Sequence, residues 1–300
     1  PSSSYSTVVF NIAKIRNQGL EFDIHGDFIR KKDFRWTGNL NISRNVSKVL
    51  DINGGPFSDP NDRDAMNLGT SVVKEGEPLG LLYGRVATGI IKTQAQLEAA
   101  REEFSLWTIF NPYLNLGDIA YEYEDGFWKE DVIGHATPDF FGGYTNTINW
   151  NRFTLTALFT FSYGNDLIYQ KDVSDSGMSS LANRGTRVLN HYSEDNTSSN
   201  RPRSMWATTY MLSSLNVYDA SYLKLKTLSL SYNLPESICR KVRIKSASVY
   251  GTATNVFTIT SYPGPDPEVS DDPTSVIGGG RDVSTYPTVK SYTFGIRINF

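Results

Sequence analysis

The chain has 300 residues, with 29 Lys and Arg against 32 Asp and Glu for a formal charge of −3, so it presents no long-range field to a polyanion and a nucleic-acid role is excluded. Hydrophobic residues make up 39% and mean hydropathy is −0.35, and no run approaches the roughly eighteen apolar residues of a membrane-crossing helix. This excludes a helical membrane protein and leaves a β-barrel open, because a spanning strand needs only about ten residues with every second one apolar.

Aromatic residues make up 13%, and with abundant Asn, Thr, Ser and Gly they suit strands and turns better than helices. The opening Pro-Ser-Ser-Ser-Tyr carries neither a signal peptide nor an initiator Met, and the expectation is a chain that begins inside a larger gene product. Leu20, Phe22, Ile24 and Phe28 alternate with Glu21, Asp23, His25 and Asp27. After the polar turn Arg30-Lys31-Lys32-Asp33, the pattern restarts with Phe34, Trp36, Leu40 and Ile42 opposite Arg35, Thr37, Asn39, Asn41 and Ser43, which predicts a hairpin. Within the long polar stretch that follows, from about 46 to 138, Gln94 to Phe104 reads as a short helix with Thr93 as N-cap. Phe140 to Gly164 predicts a second hairpin turning near Trp150-Asn151-Arg152, with Phe153, Leu155, Ala157, Phe159, Phe161 and Tyr163 on one face and Leu158 the exception on the other.

A third pair spans Tyr218 to Tyr232 and Arg243 to Phe257, joined by a turn through Cys239. Leu223 and Leu225 share one parity while Leu228, Leu230 and Tyr232 share the other, which calls for a β-bulge near Lys226 or a strand leaving the membrane there. Cys239 allows no internal disulfide and, with no His beside it, reads as a bystander. Pro263-Gly264-Pro265-Asp266-Pro267-Glu268 is rigid and poor in donors, fit for a shaped turn or an inert loop. The last strand sets Tyr292, Phe294, Ile296, Ile298 and Phe300 on one face, with an aromatic end that serves as an assembly signal in outer-membrane barrels, and Ser291, Thr293, Gly295, Arg297 and Asn299 on the other.

About seven spanning strands are therefore expected, all-β and antiparallel. Shorter turns lie near 30–33, 150–152 and 233–242 and alternate with long stretches near 46–138, 165–217 and 258–286. If Phe300 lies at the periplasmic side, all short turns are periplasmic and all long segments are outside. Seven strands leave two open edges, so the barrel is expected to be completed by residues upstream of Pro1. Lumen lining is the reading for Arg297 and for Glu21, Asp23, His25 and Asp27, whose spacing of roughly 7 Å per pair is too wide for all four to reach one metal ion. Asp59, Asp62 and Asp64 are the weak candidates for calcium in an outer loop, against a solvated loop; no metal or other cofactor is assigned. Tyr83, Trp107, Tyr113, Trp128, Trp206 and Tyr210 could stack on sugar rings, contact a lid, or pack the loops. Trp36, Trp150, Phe153, Tyr163, Tyr232 and Tyr292 suit interfacial girdles. The three His residues (His25, His135, His191) sit in no nucleophile motif, so the chain is not expected to be an enzyme.

These segments resemble the SusC/RagA class of TonB-dependent outer-membrane transporters. The likeness rests on Asn17-Gln18-Gly19-Leu20-Glu21, Gly117-Asp118-Ile119, Ile133-Gly134, Thr137-Pro138-Asp139-Phe140 and Ser162-Tyr163-Gly164-Asn165-Asp166. It continues through Ala220 to Lys226, Leu230 to Pro235, Asn255-Val256-Phe257, Asp266-Pro267-Glu268, Tyr286-Pro287 and Tyr292 to Gly295. The resemblance implies residues 1–300 as the C-terminal part of a 22-stranded barrel with long extracellular loops, with the plug and N-terminal domains outside this chain. It further implies location in the cell outer membrane, import of an oligosaccharide or peptide with energy delivered by TonB through the missing N-terminal region, and a SusD-like surface lipoprotein as lid. One departure stands out: Tyr121 to Trp128 lacks most of the spaced carboxylates of a calcium loop. The alternatives are a passive porin or structural barrel and a secreted glycan-binding β-sandwich.

Overall fold

The computed structural model describes residues 13–52, 64–103, 114–177, 183–204, 211–270, 275, 277 and 279–300. Seven strands, β1 (Ala13–Lys31), β2 (Phe34–Ile52), β3 (Phe140–Trp150), β4 (Phe153–Tyr163), β5 (Tyr222–Asn233), β6 (Ser246–Thr260) and β7 (Ser291–Asn299), form one sheet. They pair in chain order, every neighbour antiparallel, so the sheet is a continuous meander. The three hairpins and the last strand form as the alternation predicts. The outer ends do not: β1 and β2 run for 19 residues each, about 60 Å of extended chain and well beyond a bilayer core. Their far ends leave the strict alternation, where Val49 and Ile52 are buried under a loop. The strand expected from Tyr218 begins at Tyr222, because Tyr218 belongs to a separate short strand, Val217–Asp219. Its partner begins at Ser246 rather than Arg243, which sits in the turn at φ +59°.

Register turns the alternation into two coherent faces, because directly paired residues share a side. One row runs Phe34, Trp150, Phe153, Tyr232, Val249, Ile296, and a row nearer the other end runs Phe22, Ile42, Gly142, Phe161, Leu223, Ile259. Opposite them run rows such as Asp27, Thr37, Thr147, Thr156, Ser229, Thr252, Thr293. Inward of the far end of β2, where Leu50 is a further extra residue, three irregularities keep this order. Phe28 is an extra residue in β1 whose ring lies over Gly38, where a Cβ would stand 2.5 Å from it. Lys226 is an extra residue in β5, between Thr227 opposite Leu158 and Leu225 opposite Phe159, which is the bulge that the parity change requires. The third, in β6, sets Asn255 at φ +51° beside that bulge. Gly142 lets β3 approach closely, since a Cβ there would lie 2.1 Å from the Asn41 carbonyl oxygen.

The short turns are tight. Lys32-Asp33 and Asn151-Arg152 close the first two hairpins, with Asn151 at φ +52°, as a turn matching the strand twist demands. Where they are described, the long segments are folded rather than structureless. They carry short ladders (Ala65–Asn67, Ser71–Lys74, Leu81–Arg85 and Glu130–His135 in one sheet) and two helices, α1 (Gln94–Glu103) and α2 (Gln170–Gly177). A third helix, α3 (Glu236–Lys241), fills the third short turn. α1 starts where predicted: the Gln96 amide donates to Thr93 Oγ1 at 3.2 Å, and the Thr93 amide donates to Gln96 Oε1 at 3.0 Å, a reciprocal cap. Among the described residues, buried hydrophobic clusters lie in these segments and at the strand ends, not on the sheet.

Candidate functional site

The polar face and the folded long segments at its end make the candidate site. Glu21, Asp23, His25 and Asp27 on β1 and Arg297 on β7 all fall on this polar side. Among the described residues, Asp27 alone of the β1 acids is held, accepting from Arg35 Nη2 at 2.9 Å and Nε at 3.1 Å. Most of the face is uncharged hydroxyl and amide, for example Ser229 and Thr252 bonded at 2.9 Å and Thr154 donating to Asn149 Oδ1 at 2.9 Å. Such a wall hydrates well and offers weak, exchangeable contacts to a polar solute.

At the outer end of β5 the face carries a buried ionic knot. Lys224 is 1% exposed, because it stands on the polar side beneath the segment that follows β6. Its Nζ donates to Asp266 Oδ1 at 2.9 Å and to Glu268 Oε2, while Lys226 Nζ reaches Glu268 Oε1 at 3.1 Å and Tyr222 Oη donates to the same oxygen at 2.9 Å. Thr288 Oγ1 also donates to Asp266. Burial alone would raise both carboxyls. The donors from Thr288, the Glu268 amide and Lys224 outweigh it and hold Asp266 below its usual range. Lys224, Lys226 and Tyr222 do the same for Glu268. The rigid proline-rich turn is thus bolted to the sheet wall.

The long segments also clasp one another. Asp118, buried, accepts from Arg203 Nε at 2.8 Å and Nη2 at 3.1 Å, joining the first segment to the second. Strand Asp166–Tyr169 takes Val217–Asp219 on one side and Arg281–Asp282, in parallel, on the other, joining the second to the third. Asp172 gathers Arg201 at 2.7 Å, Arg187 at 3.4 Å and Tyr218 Oη at 2.7 Å, and burial with that carboxylate pushes the Tyr218 phenol up. Tyr262 Oη donates to the fully buried Asp282 at 2.9 Å, and burial and that charge push its phenol far up too. These acids are scaffolding. Among the described residues no His, Cys, Asp and Glu cluster can hold a metal ion.

Of the predicted aromatic contacts, Tyr83 packs on Ala65, Val72 and Leu81 and donates to the Glu130 carbonyl at 3.3 Å. Trp128 lies under the Arg85 guanidinium, 4.5 Å from the ring centroid, with Tyr121 edge-on. Both are spent on loop packing. Trp107, Tyr113, Trp206 and Tyr210, and Asp59 and Asp62, lie outside the described residues, and Asp64 is exposed at the edge of the first ladder. The sequence reading missed Phe127, Leu189 and Tyr286, which stand in the long segments at 57%, 79% and 81% exposure. Phe127 follows Asp125-Gly126, a positive-φ pair that turns a two-residue hairpin, so an aromatic directly after Asp-Gly was the available signal. Tyr286 precedes a proline. Leu189 gave no signal.

No family model matches the chain. It is similar over 99% of its length, at 30% identity, to the TonB-dependent receptor P3 of Formosa agariphila, covering 30% of that protein. It is similar over 97% of its length, at 23% identity, to the TonB-dependent receptor SusC of Bacteroides thetaiotaomicron, covering 27% of it. Among solved structures, the RagAB peptide transporter superposes with a TM-score of 0.73 over 97% of this chain and 30% of that one, at 22% identity. The chain therefore spans about 30% of the relatives it matches.

Proposed function

This chain is homologous along nearly all its length to TonB-dependent receptors of the SusC/RagA class, and from that premise we propose that it forms the C-terminal part of a barrel that imports a large nutrient. Its place is the outer membrane, and its seven strands are part of a transporter-type antiparallel barrel wall. The single observation that carries the reading is the two-faced sheet, apolar row over apolar row against hydroxyl over hydroxyl, capped at one end by interlocked long segments. An apolar face in lipid and a hydrated wall inside are what a spanning channel needs. A solute held by many weak polar contacts and exposed rings at the mouth fits an oligosaccharide or peptide. Glu21, Asp23, His25, Asp27 and Arg297 would then line the lumen, Tyr292, Phe294, Ile296, Ile298 and Phe300 would face lipid, and the mouth would receive a SusD-like lipoprotein lid. Plug and TonB contact would come from the rest of the protein. The role is transport, without chemistry on the substrate.

The test is uptake in cells carrying the full-length gene, with and without a protonophore and with and without TonB. Import that stops in both cases supports the proposal; uptake that persists points to a passive porin. In outer membranes, a heat-modifiable band much larger than 33.5 kDa accompanied by a lipoprotein is expected. A species extracted without detergent would end the barrel reading.

A further inference from the structure

Charge is segregated along the strands. Although the chain is slightly acidic overall, nine of its 29 Lys and Arg stand at the short-turn end, with only Asp27, Asp33 and Glu236 of its 32 acids beside them. They are Arg30, Lys31, Lys32 and Arg35 around the first turn, Arg152 in the second, and Arg240, Lys241, Arg243 and Lys245 around the third, and all are exposed. Arg35 and Arg30 share Asp27, and Arg240 pairs with Glu236. Among the described residues, the other six have no carboxylate within ion-pair distance.

These cations are held in place. α3 is pinned to β6 through buried Cys239, with Ile244 donating to the Cys239 carbonyl at 3.0 Å, Leu234 to Ala247 at 2.8 Å and Lys245 to Asn299 at 2.9 Å. Ala247 belongs to the apolar face, in register with Ile298, yet is buried while Val249 and Ile298 on that face are exposed. Residues Ile238 and Val242 beside it are exposed and apolar. Arg243 occupies the left-handed region at φ +59°, where glycine or asparagine is the easier residue. The turn therefore sits at the membrane margin, with apolar side chains and cations together, level with the aromatic row Phe34, Trp150, Phe153, Tyr232. Aromatic rows of this kind mark headgroup depth.

We propose that this end of the sheet is a binding surface for anionic glycerophospholipid headgroups of the adjoining leaflet, with Lys241, Arg243 and Lys245 as its strongest contact. The inference rests on the outer-membrane reading. A cationic arc following three successive turns, rather than one compact patch, matches the annulus of lipid around a barrel, and each cation near an anionic surface contributes on the order of a fivefold gain in binding.

The experiment uses the full-length protein reconstituted in bilayers of phosphatidylethanolamine with a minor share of phosphatidylglycerol, then native mass spectrometry of the lipids retained. Phosphatidylglycerol should be retained at least about fivefold above its share. The enrichment should fall to the bulk ratio in a Lys241→Gln/Arg243→Gln/Lys245→Gln variant that remains heat-modifiable, and weaken in Lys31→Gln/Lys32→Gln. Retention in bulk proportion by the wild type, or unchanged enrichment in the triple variant, overturns the proposal. So does preference for lipid A phosphates in an otherwise identical bilayer. Failure of the barrel reading would show separately, as a protein that never enters the bilayer.

Discussion

Lys224 shows how one side chain can fix a large loop. With its ammonium buried against Asp266 and Glu268, truncation would strand two carboxylates away from water, and removing one partner of such a group costs about 3–5 kcal/mol. Lys224→Met in the full-length protein should therefore release the segment 261–290, seen as new protease cleavage there, while the detergent-resistant barrel persists. The same knot sets a pH response. Asp266 and Glu268 have lowered folded values, so their contribution is complete above the ordinary carboxylate values of 3.8 and 4.5 and is lost as pH falls through the lowered ones. Protease protection of this segment should be flat from pH 7 to about 5 and fall only below the ordinary carboxylate range; loss near pH 6 would rule the knot out as its cause. Little of this was legible in the sequence. A lysine between two leucines reads as a solvated lumen residue, and only the nearby Asp-Pro-Glu turn, 42 residues downstream, hinted at its partners.

At the scale of elements, the bulge at Lys226 decides which residues meet lipid. Inserting one residue between Leu225 and Lys226 would slide the outer half of β5 by one position, turning Leu223 and Leu225 to the polar side and Lys224 to the lipid side. A lysine on the lipid face costs up to roughly 2–4 kcal/mol, and the edge to β4 loses register as well. The insertion should abolish the heat-modifiable form, whereas Lys226→Ala, which keeps the bulge and removes only the bond to Glu268, should retain it. The hairpins and this bulge were readable because period-two alternation repeats over ten or more residues and a change of parity has one cheap remedy. The ladders in the long segments were not readable. Strands of two to six residues carry no measurable period, and partners such as Asp166–Tyr169 and Arg281–Asp282 lie more than 100 residues apart in sequence. Helix α1 was the exception, since Thr93 and Gln96 write a cap into four residues.

For the whole molecule, the buried clusters lie in the long segments and at the ends of β2, β5 and β6 rather than on the sheet, which predicts two separately stabilised bodies. Asp118→Ala should test this separation. It removes the buried carboxylate to which Arg203 donates twice, at a cost of about 3 kcal/mol, and should expose segment 183–204 to protease while leaving the temperature at which the barrel loses its folded gel mobility unchanged. A fall in that temperature would mean that the two bodies melt together. The strand shared by the second and third long segments carries a consequence for engineering. Because Asp166–Tyr169 is zipped on one flank by its own segment and on the other by Arg281–Asp282, neither loop is a self-sufficient cassette. A chimera that borrows a single loop from a relative would inherit half a ladder, so these loops are transplantable only as the whole interlocked set.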